Sequence, residues 1–243
     1  MDNLSVDAFY NGQVKVYQRK SGYRFSIDAA ILASFPHLKP GQKVLDLGTG
    51  CGIVPILLTH KYPDVKCYGV EIQEGLFHIA SMNVKENQME DSISLFLKDM
   101  KKINRKDTLG AVDVVTCNPP YRKGNSGRIN PDNEKALARH EITIQLHDVI
   151  ITAYEMLKRK GKCIFIYIPD RIAEILSEMR SIGLEPKRLR CIHSNIFSEA
   201  KLILIEGVKG GGTGVKIVPP LYVYNPDGSY TPEMEKITSP PTY

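Results

Sequence analysis

The sequence is poor in the residues that sulfur and metal chemistry would require. Its 243 residues contain five cysteines, Cys51, Cys67, Cys117, Cys163 and Cys191, and none forms a C-x-x-C pair. No cluster of His and Cys has zinc-site spacing, so no metal is expected. Four of the five cysteines sit inside or beside apolar runs, as small buried hydrophobes in a reducing compartment do. No apolar run is long enough to span a bilayer, and no basic stretch followed by an apolar stretch marks a signal peptide. A cytoplasmic protein without a membrane partner is the expectation. Charge of one sign is not extreme either. A net +5 with 24% charged and 42% hydrophobic residues excludes extensive disorder. It permits a polyanionic partner without requiring one.

What is present is a regular alternation of strand and helix. The chain opens with a short β lead-in, alternating over Gln13-Val14-Lys15-Val16-Tyr17-Gln18. A helix follows over Ala29 to Phe35, with Ser26 as its N-cap and Pro36 and Pro40 ending it. From Lys43 the pattern predicts strands at 44–47, 65–72, 93–97, 112–117 and 162–168. Helices are predicted at 53–62, 74–87, 141–157 and 171–182, and two late strands near 187–193 and 200–208. Strands this apolar, separated by helices, indicate a parallel sheet covered on both faces, with an antiparallel pair at one edge. The whole chain, 1–243, is expected to form one α/β domain. Two stretches break the rhythm: Arg122 to Arg139, and the Gly/Pro-rich tail from 210 to 243, whose segment Val218 to Val223 is expected to pack extended.

Asp46-Leu47-Gly48-Thr49-Gly50-Cys51-Gly52 follows a strand and opens a helix. Glycines there let the backbone turn sharply and approach a ligand. A dinucleotide fold would show G-x-G-x-x-G, whereas here the spacing is G-x-G-x-G behind an acid. Asp46 would repel a pyrophosphate at the helix N-terminus. It suits S-adenosyl-L-methionine, which carries a sulfonium and an ammonium and no phosphate. Glu71, at the end of the next strand, can take both ribose hydroxyls. Asp99 ends the third strand and can accept from the adenine amine, with the Met100 N–H donating to the ring. Each acid alone is more often a solvated loop residue. Three at successive strand ends, with the glycine turn, point to the cofactor.

Asn118-Pro119-Pro120-Tyr121 ends the fourth strand, at the expected switch point of the sheet. An exocyclic amine on a ring is a poor nucleophile because its lone pair is spread into the π system. The Asn118 side-chain oxygen and the Pro119 carbonyl can take its two N–H bonds and turn the lone pair towards a methyl carbon. The prolines stiffen the segment, and Tyr121 can stack on a planar target. Positioning and stabilisation of growing charge are then the main catalytic terms. The bland alternative is that Asn-Pro-Pro is merely a turn after a strand.

In these motifs the chain resembles class I methyltransferases that carry an N/D-P-P-Y/F/W motif. More narrowly it resembles the bacterial tRNA1(Val) adenine N6-methyltransferase family. The narrower likeness rests on G-Y-R-F-S-I-D at Gly22 to Asp28, A-R-H-E at Ala138 to Glu141 and P-P-L-Y-V-Y at Pro219 to Tyr224. It implies a Rossmann-like, doubly wound, seven-stranded and mostly parallel sheet whose last strand is antiparallel. It implies that residues 1–36 cover the cofactor, with Arg24, Phe25 and Asp28 closing its pocket. It also implies methylation of the 6-amino group of adenosine 37, in the anticodon loop of one valine tRNA, by an enzyme expected to be monomeric. A glutamine amide in a protein and a guanine 2-amino group in ribosomal RNA are the rival acceptors. With the glycine turn already at Asp46, the helical N-terminal domain of release-factor methyltransferases is not expected, and guanine N2 enzymes favour Phe after the prolines.

Substrate contacts are expected from Pro120, Tyr121, Arg122, Lys123, Arg139 and His140, since their place on the rim follows from the motif. Other basic runs, Lys98 to Lys106, Lys158 to Lys162 and Lys187 to Arg190, are also expected near that rim. For any single lysine a solvated surface charge is the simpler reading. His140-Glu141 could form an acid/base pair, but Glu141 as a helix cap and His140 as a substrate contact is preferred.

Overall fold

The computed structural model describes residues 4–20, 27–119 and 146–238. Five parallel strands form its centre: β3 (Lys43–Leu47), β4 (Lys66–Glu71), β5 (Ile93–Leu97), β6 (Val112–Cys117) and β7 (Leu157–Tyr167). Two further long strands, β8 (Leu184–His193) and β9 (Ala200–Lys209), complete a seven-stranded run ordered β5-β4-β3-β6-β7-β9-β8. β9 is antiparallel to both neighbours. The last strand is therefore antiparallel as expected, and it lies between β7 and β8 rather than outermost. The order reverses between β3 and β6, the switch point at whose carboxyl end open α/β sheets form their ligand crevice.

The strands read as continuous apolar runs because both faces are covered. One face carries α1 (Ile27–Ser34), α2 (Ile53–Lys61) and α3 (Glu74–Glu86), with buried Ile31, Leu57, Ile79, Ile164 and Leu204 among its core. The other carries α4 (Leu146–Met156) and α5 (Ile172–Ile182), packed on Leu45, Phe165, Tyr167 and Ile205. Gly183, at φ +91°, ends α5 in a left-handed conformation that costs a residue without Cβ little.

Three features depart from the sequence reading. The fifth strand begins at once after α4, because Leu157 already pairs with Val112 before a register shift that brings Lys162 opposite Val114. The tail adds β10 (Lys216–Ile217) and β11 (Leu221–Tyr222), both parallel to β8, which brings the sheet to nine strands. A short helix, α6 (Pro232–Thr238), follows, and its Thr238 carbonyl accepts from the Tyr10 N–H at 2.9 Å. The N-terminal strands β1 (Leu4–Phe9) and β2 (Val14–Arg19) form a separate antiparallel hairpin. That hairpin docks on α3 through two asparagines one helical turn apart. Asn87 exchanges hydrogen bonds with the Lys15 backbone at 3.0 and 2.7 Å, and Asn83 with the Tyr17 backbone at 2.8 and 2.9 Å. Side-chain amides thus replace a neighbouring strand along β2.

Candidate functional site

The turn after β3 needs its glycines. Gly48, Gly50 and Gly52 have φ of +70°, +60° and +82°, a region that other residues enter only with strain. A Cβ on Gly52 would also lie 3.2 Å from the Ala80 Cβ. The turn is tied to β4: the N–H groups of Gly48 and Thr49 both donate to the Val70 carbonyl at 3.0 Å. Glu71, the last residue of β4, accepts from the Gly50 N–H and the Gln73 N–H, each at 2.9 Å.

Asp46 and Glu71 are 3% and 5% exposed. Neither has an ion-pair partner among the described residues. Burial pushes the Asp46 carboxyl up to about 7, against the pull of the Thr116 and Thr49 hydroxyls and with a smaller push from Glu71. The Thr116 hydroxyl donates to Asp46 Oδ1 at 2.8 Å across the β3–β6 seam. Burial raises Glu71 as well, opposed by backbone N–H groups of Gln73, Gly50 and Ile72. Two buried carboxyls without a cation are costly for the protein alone and favourable to a cationic ligand.

Asp99 and Met100 close the same rim from β5. Asp99 caps a short 3-10 turn by accepting from the Lys101 N–H at 2.9 Å. Met100 is buried, and its Cε lies 3.6 Å from where a Cβ on Gly48 would stand. The Lys98 N–H donates to the Glu71 carbonyl at 2.9 Å, which locks the ends of β4 and β5 together.

Asn118 and Pro119 reach this crevice from β6. Leu47 pairs with Cys117, so the next residues, Gly48 and Asn118, stand at one level on adjacent strands. The Cys117 thiol donates to the Leu47 carbonyl at 3.2 Å. Asn118 is half-buried and Pro119 buried. Asp28 lies in the first turn of α1. Lys61, at the end of α2, donates to the Ser34 carbonyl, at the end of α1. Arg24, Phe25, Pro120, Tyr121, Arg122, Lys123, Arg139 and His140 lie outside the described residues, as does the expected N-cap Ser26.

Sequence reading missed Thr116 and Asn83. Asn83 is fully buried, and its amide donates to the Cys51 carbonyl at 2.9 Å as well as to the Tyr17 carbonyl. It joins the hairpin to the glycine turn. A polar residue among the buried Ile79, Ala80 and Val84 of one helix face was the available signal.

The wider basic rim requires correction. Lys158, Lys160 and Lys162 precede or begin the main part of β7, which places them at the amino end of the sheet, away from the crevice. Lys158 pairs with Asp113 at 2.9 Å, and Lys160 donates to the Gly210 carbonyl at 2.7 Å. Arg105 donates to the carbonyl of Glu155, near the end of α4. Lys187 donates to the Gly212 carbonyl, Arg188 pairs with Glu206 and stacks on Phe35, and Arg190 pairs with Glu233. These cations serve the fold: Lys158 and Lys160 lie at the amino end of the sheet, and Lys187, Arg188 and Arg190 lie within β8 and are taken up by carboxylates, carbonyls and a ring of the chain itself. From the three runs, Lys98, Lys101 and Lys102 stand beyond the carboxyl end of β5, with Lys98 paired to Asp107 at 2.8 Å and Lys101 3.7 Å from Asp148.

Comparison with known proteins agrees with this geometry. A family model described as the methyltransferase small domain matches residues 21–169. A protein of Porphyromonas gingivalis named tRNA1(Val) (adenine(37)-N6)-methyltransferase is 26% identical, over 98% of this chain and 95% of its own length. One of Vibrio campbellii with the same name is 23% identical, over 82% and 85%. Among solved structures, a predicted O-methyltransferase, protein Atu636 of Agrobacterium tumefaciens, shares the fold with a TM-score of 0.70 at 19% identity, over 89% of this chain and 98% of its own.

Proposed function

The chain belongs to the methyltransferase small domain family, and on that premise we propose that it moves a methyl group from S-adenosyl-L-methionine to the 6-amino nitrogen of an adenine in tRNA, adenosine 37 of tRNA1(Val). The observation that carries the reading is the pairing of Leu47 with Cys117. It sets Asn118 beside the glycine turn, next to two buried carboxyls that have no cation of their own among the described residues. The names of relatives that match 98% and 82% of the chain support the acceptor.

The residues present fit a sulfonium cofactor. Asp46 and Glu71 supply negative charge in a site of low polarisability, and Glu71 keeps acceptor capacity for hydroxyls. Asp99 and Met100 border the place of the adenine ring. When bound, S-adenosyl-L-methionine supplies an electrophilic methyl group. The Asn118 side-chain oxygen and the Pro119 carbonyl accept the two N–H bonds of the target amine. This directs the lone pair outward and favours the positive charge that forms on nitrogen as the new N–C bond replaces the S–C bond. The surplus proton leaves to solvent afterwards, so no strong base is needed. Pro120, Tyr121, Arg122, Lys123, Arg139 and His140 hold the RNA, with Tyr121 stacked on the flipped base. Arg24, Phe25 and Asp28 close the cofactor side. The chain acts as one domain, with residues 1–36 over the cofactor and 210–243 as a tail.

Digestion and mass spectrometry of tRNA after incubation with the chain and labelled cofactor tests this. We expect 6-methyladenosine in one valine isoacceptor. Label found in a protein glutamine or on guanine N2, with none on adenine, would overturn the acceptor.

A further inference from the structure

An aromatic surface lies on the same end of the sheet as the crevice. Residues 194–199 join β8 to β9 beyond the carboxyl end of β8. The turn is braced internally: Asn195 Oδ1 accepts from the Phe197 N–H at 2.9 Å, Ser198 Oγ from the Asn195 N–H at 3.1 Å, and His193 Nδ1 is 2.8 Å from the Ser198 carbonyl. This bracing holds Phe197 85% exposed and Ile196 61% exposed. The tail docks beside it. The Val223 N–H donates to the His193 carbonyl at 2.9 Å, and the Tyr224 N–H to the Ser194 carbonyl at 2.8 Å. Alternation along β11 buries Leu221 and Val223 and turns Tyr222 and Tyr224 the other way. The Tyr222 ring is 5.3 Å from that of His193, and Tyr224 stacks on Tyr230 at 5.4 Å and 19°. Tyr224 and Tyr230 remain 39% and 37% exposed.

A ring held as far into water as that of Phe197 gains little burial from the fold it decorates, and Tyr224 and Tyr230 each keep more than a third of their surface exposed. Their rigid presentation suits flat partners. Three strand steps, from β6 through β7 and β9 to β8, separate the turn from Asn118, a span of about 14 Å at roughly 4.8 Å per step, and β11 on the outer side of β8 adds a fourth, to about 19 Å. A target adenine that leaves its stack strips its neighbours of stacking partners within that reach. We propose that Phe197, Tyr224 and Tyr230 form a stacking platform for the unpaired RNA bases that flank the methylated adenine. The proposal rests on the RNA reading above.

Steady-state methylation of an unmodified valine tRNA transcript tests it, with wild type, Phe197→Ala, Tyr224→Ala, the double variant, and Phe197→Leu and Phe197→Tyr. Each alanine is expected to raise KM for the transcript about tenfold, in line with the usual worth of one stacked base. At saturating RNA, kcat should be unchanged, as should the affinity for S-adenosylhomocysteine. Phe197→Tyr should behave as wild type. Phe197→Leu, apolar but not planar, should behave as Phe197→Ala. A double variant whose KM stays within twofold of wild type would overturn the platform while leaving the RNA reading intact. A wild type that self-associates through this surface, with the double variant monomeric and equally active, would overturn it as well. A wild type that methylates no tRNA would remove both readings, and the wild-type arm alone would show it.

Discussion

The two ends of the central sheet treat charge in opposite ways. At the amino end, Asp113 accepts from the Lys43 N–H and pairs with Lys158, while the Lys43 ammonium reaches the Leu109 carbonyl at 2.6 Å. Three residues along the same strand from Lys43, Asp46 is buried with a threonine hydroxyl and no cation among the described residues. Glu71 beside it is satisfied by backbone N–H groups. Charge neutralised inside the chain marks structure, and charge left for an outside partner marks a ligand site.

Experiments can break or sharpen that contrast. Asn118→Ala, at the ligand end, should lower the single-turnover rate by about 10² or more, as loss of one positioned transition-state partner does. Cofactor affinity by calorimetry should stay near wild type, and an active variant would remove the assigned role. Asn83→Ala strands the Cys51 carbonyl in the interior and takes the partner from the part-buried Tyr17 backbone. It should cost about 3 kcal/mol in denaturant unfolding and weaken the cofactor as the glycine turn loosens. Equal stability would show that the hairpin finds another anchor.

Asp46→Asn should weaken the cofactor about tenfold while making the free protein more stable above neutral pH, because a buried charge with no cation among the described residues has gone. Asp113→Asn should do the reverse at the other end, costing at most about 1 kcal/mol and leaving cofactor affinity alone. If both variants behave alike, the contrast between the two ends fails.

Acidity provides the finest probe. The folded Asp46 carboxyl, raised to about 7 by burial, holds a proton that the unfolded chain releases at an ordinary carboxylate value. Stability of the free protein should therefore fall as pH rises through that interval. Cofactor affinity should move the other way, weakening below about 7 as Asp46 is protonated. S-adenosylhomocysteine lacks the sulfonium and should show a shallower slope. Parallel slopes would place the sulfonium away from Asp46.

Most of the central α/β fold was legible because its boundaries are punctuated. Val44 to Leu47 ends in glycines, Ile93 to Leu97 in Lys98-Asp99, and Val112 to Cys117 in Asn118-Pro119. The acids and Asn118 could be read as one site because parallel strands align their carboxyl ends. The helix at Pro232–Thr238 was hidden by the Gly/Pro bias of the tail around it. The aromatic turn at Phe197 carried no periodicity to read. The basic runs were misplaced because a run of lysines does not say which end of a strand it occupies until the strand's direction is known.

The sequence by itself determined the alternation of strands and helices from Lys43 to Lys209, the glycine turn and the row of acids at strand ends. These follow from local backbone sterics and from periodicity, which neighbouring residues set among themselves. Only the tertiary structure decided which charges are matched. Thr116 meets Asp46, Lys158 meets Asp113 and Asn83 meets Tyr17 across 45 to 70 residues of chain. Such meetings depend on strand register and helix docking, which no stretch of sequence contains on its own.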